Sequence, residues 1–240
     1  MEYAEFEVTV ALEMASLVES VAVGSVSAPV PTCPGWTISD LGLHVGQFCG
    51  FWTHVLCEGT GRPKTPYPEE PKGDDLANWL GSLGYYLLQE LRATPSDKEV
   101  WTWYESDKSA TFVARRCANE LAIHRYDAQS ARGTCAPITP RLAADGLDEM
   151  LTVLVSVRPR TGEATGETLH LHATDSDAEW LIALHPERID MTPEHAKADL
   201  ALRGAVSDLE LVLYGRPTIG KVEHFGNEWA LEVWRREFRF

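Results

Sequence analysis

The sequence has little positive charge and no long apolar segment. It contains 21 Lys and Arg against 36 Asp and Glu, which gives a formal net charge of −15. Nucleic acids and anionic membranes are bound by clustered Lys and Arg, so we expect neither as a partner. No stretch approaches the roughly 18 uninterrupted apolar residues of a transmembrane helix. The N-terminal sequence MEYAEFEVTV also lacks the basic and then apolar pattern of a signal peptide, and we therefore expect a cytoplasmic protein.

The cysteines cannot all pair with one another, because there are five of them, and no two stand in a C-x-x-C arrangement. We interpret them as reduced thiols, in agreement with a cytoplasmic protein. The apolar fraction of 44% and the charged fraction of 24% are those of an ordinary globular protein. At 240 residues the chain is long enough for one large domain or two smaller ones.

Helical periodicity dominates the first two thirds of the chain. Thr37 and Asp40 have the spacing of a capping box, which predicts the start of a helix. Asp74 or Asp75 can cap another helix, and Ser109 a further one. The predicted helices span residues 5–22, 37–56, about 75–92, 109–132 and 141–157. Helices joined by short connections favour a four-helix bundle, which we assign to residues 1–158.

The pattern changes from helical to alternating near residue 162. Leu169, Leu171 and Ala173 alternate with polar residues, as in a strand with one buried face. The predicted strands are 168–174, 180–184, 188–191 and 198–202, and the predicted helices are 205–214 and 227–238. Residues 162–240 therefore form a small α+β domain, and the fold class of the chain is α+β.

Three side chains have the spacing of a metal site. Glu120 and His124 are four residues apart in a predicted helix, so they lie one turn apart on the same face. His44, on another predicted helix, can complete a three-ligand site with a fourth position open. Such a pair alone is weak evidence of a metal, but a Glu on a core-facing stripe is costly unless it is paired or metal-bound. The spacing alone leaves two interpretations open: a divalent metal at His44, Glu120 and His124, or an ordinary Glu–His pair that stabilises the helix.

Other polar residues allow two interpretations. Asp127, one turn beyond His124, could accept the second ring N–H of a ligand histidine or be an ordinary solvated charge. His170 and His172 share a strand face and form a rival metal pair. No third ligand for them is apparent in the sequence, so we favour the polar face of a half-buried strand. Cys33 has no adjacent base, and we interpret it as a small buried residue, not a nucleophile.

Several segments together resemble the mycothiol-dependent maleylpyruvate isomerase family, which belongs to the DinB/YfiT-like metalloenzymes. The resemblance covers nearly the whole chain. The segments are TCPGWTISDLGLHVG (32–46), RRCANELAIHRYDA (115–128), LHLHATD (169–175), LRGAVSDL (202–209) and LYGR (213–216).

The resemblance implies a DinB-like bundle carrying zinc, followed by a small, sterol-carrier-like α+β domain. It implies that the metal ligands are His44, Glu120 and His124, although imidazole and carboxylate also accept other divalent metals. It further implies an arginine of the C-terminal domain that acts in catalysis. Arg203 is the nearest match for that arginine, with Arg216 as a competitor.

The function implied is a zinc-dependent enzyme that activates a low-molecular-weight thiol, mycothiol, as a thiolate. The thiolate would attack an electrophilic small molecule, for S-transfer or for cis–trans isomerisation, and we favour conjugation. Two other classes remain open. A binding protein could hold a small molecule or lipid in the bundle without turnover. A hydrolase on the same bundle could use the metal to activate water instead of a thiol.

Overall fold

A computed structural model describes residues 1–64, 68–69, 71 and 75–238. The chain divides into two compact units, Met1–Ala136 and Pro137–Phe240. Within the described ranges, no helix combines the length and apolarity needed to cross a bilayer.

The first unit is a four-helix bundle, as predicted. Its helices are α1 (Tyr3–Ala22), α2 (Ile38–Glu58), α3 (Leu76–Ala93) and α4 (Ala110–Ser130). Helix α1 packs against α3 and α4, and α2 packs against the same two helices. The core between them is built from fully buried apolar residues, among them Phe6, Leu17, Leu41, Leu80 and Leu121. Helix α4 is buried on most of its circumference, so polar side chains on it are held away from bulk water.

The predicted caps set the starts of two helices that carry the candidate site. The Thr37 side chain accepts a hydrogen bond from the backbone of Asp40, and the Asp40 carboxylate accepts one from Thr37 in return. The Ser109 hydroxyl accepts a hydrogen bond from the backbone N–H of Phe112 at the start of α4. Asp75 precedes α3, and its carboxylate accepts from the side chain of Asn78. The alternative cap, Asp74, lies outside the described residues.

The second unit begins earlier in the chain than expected. Helix α5 (Pro140–Glu149), a π-helical turn (Met150–Leu154) and α6 (Val155–Val157) cover the predicted helix 141–157. Helix α5 packs against α7 (Val206–Leu213), which belongs to the second unit. The boundary predicted at residues 158–162 is therefore replaced by one between Ala136 and Pro137. An amphipathic pattern shows that a helix has a buried face, but not which partner covers that face.

A five-stranded mixed sheet forms the centre of the second unit. Its strands are β1 (Thr168–Ala173), β2 (Glu179–Leu184), β3 (Ile189–Thr192), β4 (Leu200–Gly204) and β5 (Glu223–Gly226), in the order β3-β2-β1-β4-β5. The β1–β4 pair is parallel and the other pairs are antiparallel. Helix α7 contacts β1 and β4, and α8 (Trp229–Glu237) contacts β1. Four strands were predicted; β5 was missed because it is a short, mostly exposed edge strand without apolar alternation.

Candidate metal centre

Helices α2 and α4 bring the three predicted ligands together. Oε1 of Glu120 lies 3.3 Å from Nε2 of His44 and 3.3 Å from Nε2 of His124. The three ligand atoms all lie within 4.8 Å of one another. The His44 side chain is 39% exposed, so the cluster can be reached from solvent.

These separations fit a metal ion as well as a hydrogen bond. With metal–ligand bonds of about 2.0–2.1 Å, two ligands at the tetrahedral angle are about 3.3 Å apart. Both separations between Glu120 and an imidazole have this value. Two neutral imidazoles and one carboxylate are a donor set that suits zinc and several other divalent metals. The cluster could therefore hold a divalent ion with a coordination position left over.

Arg116 keeps the Glu120 carboxylate ionised. Its Nη2 lies 2.6 Å from Oε2 of Glu120, the oxygen that does not face the imidazoles. Burial alone would raise the pKa of Glu120, but the charge of Arg116 and the hydrogen bonds from His124 and His44 outweigh it and hold that pKa well below its ordinary value. The carboxylate is thus available as an anionic ligand throughout the neutral pH range.

Asp127 lies on the far side of the His124 ring from Glu120. Its Oδ2 is 3.0 Å from Nδ1 of His124, and the Asp127 side chain is fully buried. Burial would lower the pKa of His124, but the hydrogen bonds to Asp127 and Glu120 outweigh it and raise this pKa to about 9. When His124 is neutral, a proton on Nδ1 facing Asp127 leaves the lone pair on Nε2, the atom directed at Glu120. Asp127 had two interpretations, and the geometry favours a residue that positions the His124 ring over an ordinary solvated charge.

Two neighbours of the cluster were not predicted. The Trp36 ring packs 5.1 Å from the His44 ring and 6.4 Å from the His124 ring. Cys33 is half-buried, and its thiol donates a hydrogen bond to Asp127 across 3.4 Å. The role of Arg116 could have been found from its spacing, because Arg116 and Glu120 are four residues apart on one helix. Trp36 and Cys33 precede α2 in an irregular segment, where no periodicity indicates which way a side chain points.

The remaining predicted residues lie in the second unit. Arg203, on β4, is 52% exposed and its guanidinium lies 3.1 Å from Glu223. Arg216 is buried and donates to the backbone carbonyl of Tyr214.

The sequence showed no third potential ligand beside His170 and His172, but the structure brings two more side chains to them. Glu179 and His195 converge on the same two histidines. Pairing of β1 with β2 places Glu179 beside the two histidines, and the segment between β3 and β4 brings His195 to them. Neither relation produces a regular residue spacing in the sequence.

A four-helix bundle with a partly buried His–Glu–His cluster, followed by an α+β unit, is the architecture implied by the mycothiol-dependent maleylpyruvate isomerase family that the sequence resembles. Comparison with family profiles gives the same assignment. Residues 9–129 match the mycothiol maleylpyruvate isomerase N-terminal domain, and residues 141–232 match the C-terminal domain of that family. The chain belongs to the mycothiol maleylpyruvate isomerase family, a family of enzymes, and the predicted family and fold class are confirmed.

Solved structures with a similar fold include the mycothiol-dependent maleylpyruvate isomerase and a point mutant of it. The chain is 16% identical to both, with TM-scores of 0.63 and 0.61, and 93% of each chain is covered. A comparison with curated proteins gives no significant match. At this level of identity, the two structures establish the fold of the chain but not its substrate.

Proposed function

We propose that this protein is a metal-dependent enzyme that uses mycothiol to act on an electrophilic small molecule. The reaction is cis–trans isomerisation of a maleylpyruvate-like substrate or S-transfer to a related electrophile. The observation that carries the proposal is the convergence of His44, Glu120 and His124, with ligand separations that fit a tetrahedral ion. Membership of the mycothiol maleylpyruvate isomerase family supports mycothiol as the thiol.

In this proposal, His44, Glu120 and His124 hold zinc or a similar divalent ion. Such an ion supplies one chemical effect: it lowers the pKa of a thiol in its open coordination position, so that thiolate forms at neutral pH. The ligand charges are suited to that role. Two neutral imidazoles and one carboxylate leave a divalent ion with a net charge of about +1, which favours binding of an anion.

The chain's own residues have separate tasks in the proposal. Asp127 holds the His124 ring so that Nε2 faces the metal position. Arg116 holds the second carboxylate oxygen of Glu120, which leaves one oxygen for the metal. Trp36 covers the two imidazole rings and limits the access of water to them.

Arg203 is the proposed partner of a substrate carboxylate or enolate. A guanidinium can bind a carboxylate through two parallel hydrogen bonds, which makes arginine suited to this task. Its exposure favours it over the buried Arg216. Arg203→Ala is expected to raise the KM for an anionic substrate more than Arg216→Lys does in a folded protein.

The first test is metal content by elemental analysis, with His44→Ala beside the wild type. We expect the variant to lose one equivalent of metal together with thiol-dependent turnover of maleylpyruvate. The matched control is His54→Ala, which removes a second half-buried histidine of α2. The control should keep both metal and activity. Unchanged metal content in folded His44→Ala, or turnover at the full rate without any thiol, would contradict the proposal.

A further inference from the structure

A second cluster of potential ligands lies on the sheet of the C-terminal unit. His170 and His172 are two residues apart on β1, so they share one face of the sheet. In the antiparallel register of β1 and β2, the Cα of His172 pairs with that of Glu179, so Glu179 lies on the same face. Two imidazoles and a carboxylate are therefore placed together by strand pairing alone.

A third imidazole comes from the segment between β3 and β4. Nδ1 of His195 lies 2.8 Å from Oε2 of Glu179, and Nε2 of His170 lies 3.0 Å from the same oxygen. Nδ1 of His172 lies 2.7 Å from the other oxygen, Oε1. The four ligand atoms all lie within 4.8 Å of one another. Three histidines thus surround one carboxylate.

Hydrogen bonding does not account for all of these contacts. Nδ1 of His172 is buried, and within the described part of the chain it has no hydrogen-bond partner of acceptable geometry, despite its short distance to Glu179. A buried polar nitrogen of this kind calls for another partner. A metal ion accepts a lone pair from any direction that its ligands leave open, so it would satisfy this nitrogen.

The surroundings of the cluster favour a cation. A cavity of about 370 Å³ borders Glu179 and His195, and its lining includes three further carboxylates, those of Asp148, Asp177 and Glu194. Arg203 lies next to His172 in the β1–β4 register, but its guanidinium binds Glu223. Acidic groups around the three imidazoles raise the local concentration of divalent cations.

We propose that His170, His172, Glu179 and His195 form a second metal site, for a divalent transition-metal ion of the zinc type. Imidazole nitrogen is a preferred donor for such ions, and four protein ligands complete a tetrahedral shell. A shell closed by protein ligands is typical of structural zinc, in contrast to the three-ligand centre of the bundle. The ion would fix the segment around His195 to the face of the sheet.

The observed separations of 2.7–3.0 Å are shorter than the distance between two ligands of one ion. An ion between the same atoms widens them to about 3.3 Å. The His195 side chain is 76% exposed on an irregular segment, so its own separation from Glu179 can widen by this amount.

The test measures Zn²⁺ binding by equilibrium dialysis of the metal-stripped full-length protein. His44→Ala serves as the background, because it disables the bundle site under the proposed function. We expect this protein to bind one equivalent of Zn²⁺. Adding His195→Ala should weaken Zn²⁺ binding at least about 100-fold. Removing a residue that only hydrogen-bonds to a metal ligand already lowers metal affinity about 10–100-fold, and His195 is itself a proposed ligand. Because His195 is exposed, its replacement leaves the core of the unit intact.

The matched control is His224→Ala, which removes another histidine of the same unit that binds a single carboxylate, that of Glu228. It should leave Zn²⁺ binding unchanged. Cobalt provides a second measurement in the same His44→Ala background, because tetrahedral Co²⁺ has strong visible absorption that should be lost when folded Glu179→Gln is added.

The proposal is overturned if His44→Ala binds no Zn²⁺, or if its one equivalent survives His195→Ala and Glu179→Gln unchanged. Failure of the proposed function gives a different result, in which the wild type and His44→Ala bind the same number of ions.

Discussion

Asp127→Asn is the substitution that best tests how the bundle site is built. It keeps the size of the side chain but removes the charge that faces Nδ1 of His124 across 3.0 Å. Because Asp127 is fully buried, no solvent compensates for the lost charge. The ring keeps its place in the bundle, while the preference for a proton on Nδ1 and a lone pair on Nε2 is weakened.

The expected loss has a magnitude and a pH dependence. Removing the outer partner of a ligand histidine costs about 10–100-fold in metal affinity, or about 1.4–2.7 kcal/mol. Asp127 also helps to raise the pKa of His124 to about 9, so it strengthens the binding of a competing proton as well. The full loss of affinity should therefore appear above pH 9. At pH 7 the loss should be smaller, because the variant has less proton competition to overcome.

The assay is competition for Zn²⁺ against a chelator at pH 7 and at pH 9.5, with circular dichroism to confirm folding. Cys33→Ala is the matched control, since it removes the thiol contact to the same carboxylate but leaves the charge in place. It should change the affinity by less than about threefold. An Asp127→Asn protein that is folded and binds Zn²⁺ with unchanged affinity at pH 9.5 would refute the positioning role.

Two further predictions concern the wild-type site and the sheet. Zinc affinity should rise with pH up to about 9 and then level off, because His124, whose pKa is raised to about 9, must lose a proton before Nε2 can bind the ion. Isothermal titration calorimetry from pH 6 to 10 measures this dependence. An affinity that does not change with pH contradicts the prediction. Gly226→Ala should lower the free energy of unfolding by about 2–4 kcal/mol, since Gly226 has a φ of 121° and an added Cβ would overlap a backbone carbonyl beside β4. Gly166 has a φ of 115° with open space around it, so Gly166→Ala should lower the free energy of unfolding by only about 1–2 kcal/mol, from backbone strain alone. Urea titration measures the free energy of unfolding of both variants.

The bundle and its candidate site were largely predictable because the signals for them are local. Helix periodicity and the Thr37 cap fix the direction of α2, and with it the direction of His44. The spacing of Glu120 and His124 fixes their common face on α4. The packing of α2 beside α4 is the one relation in this site that is not local in sequence. The resemblance to a known family provided the basis for predicting it.

The second unit was less predictable because its important relations are non-local. The amphipathic helix α5 has a clear apolar face, but the sequence does not indicate that α7 covers it. His170 and His172 were correctly placed on one strand face. The register of the β1–β2 hairpin places Glu179 beside these histidines, and the loop between β3 and β4 places His195 there. A register shift of one residue would have turned Glu179 to the opposite face.

Under the proposed function, the two oxygens of Glu120 would allow the bundle site to favour an anionic ligand despite its carboxylate. Arg116 lies 2.6 Å from one oxygen, while the other faces the two imidazoles. The negative charge that Glu120 brings to the site is thus already partly neutralised by a guanidinium that cannot lose its proton near neutral pH. A divalent ion bound to the free oxygen would retain more of its positive charge than it would beside an unpaired carboxylate. That residual charge would stabilise a thiolate over a thiol, so in the proposed function Arg116 would act on the chemistry through Glu120 without touching the thiol.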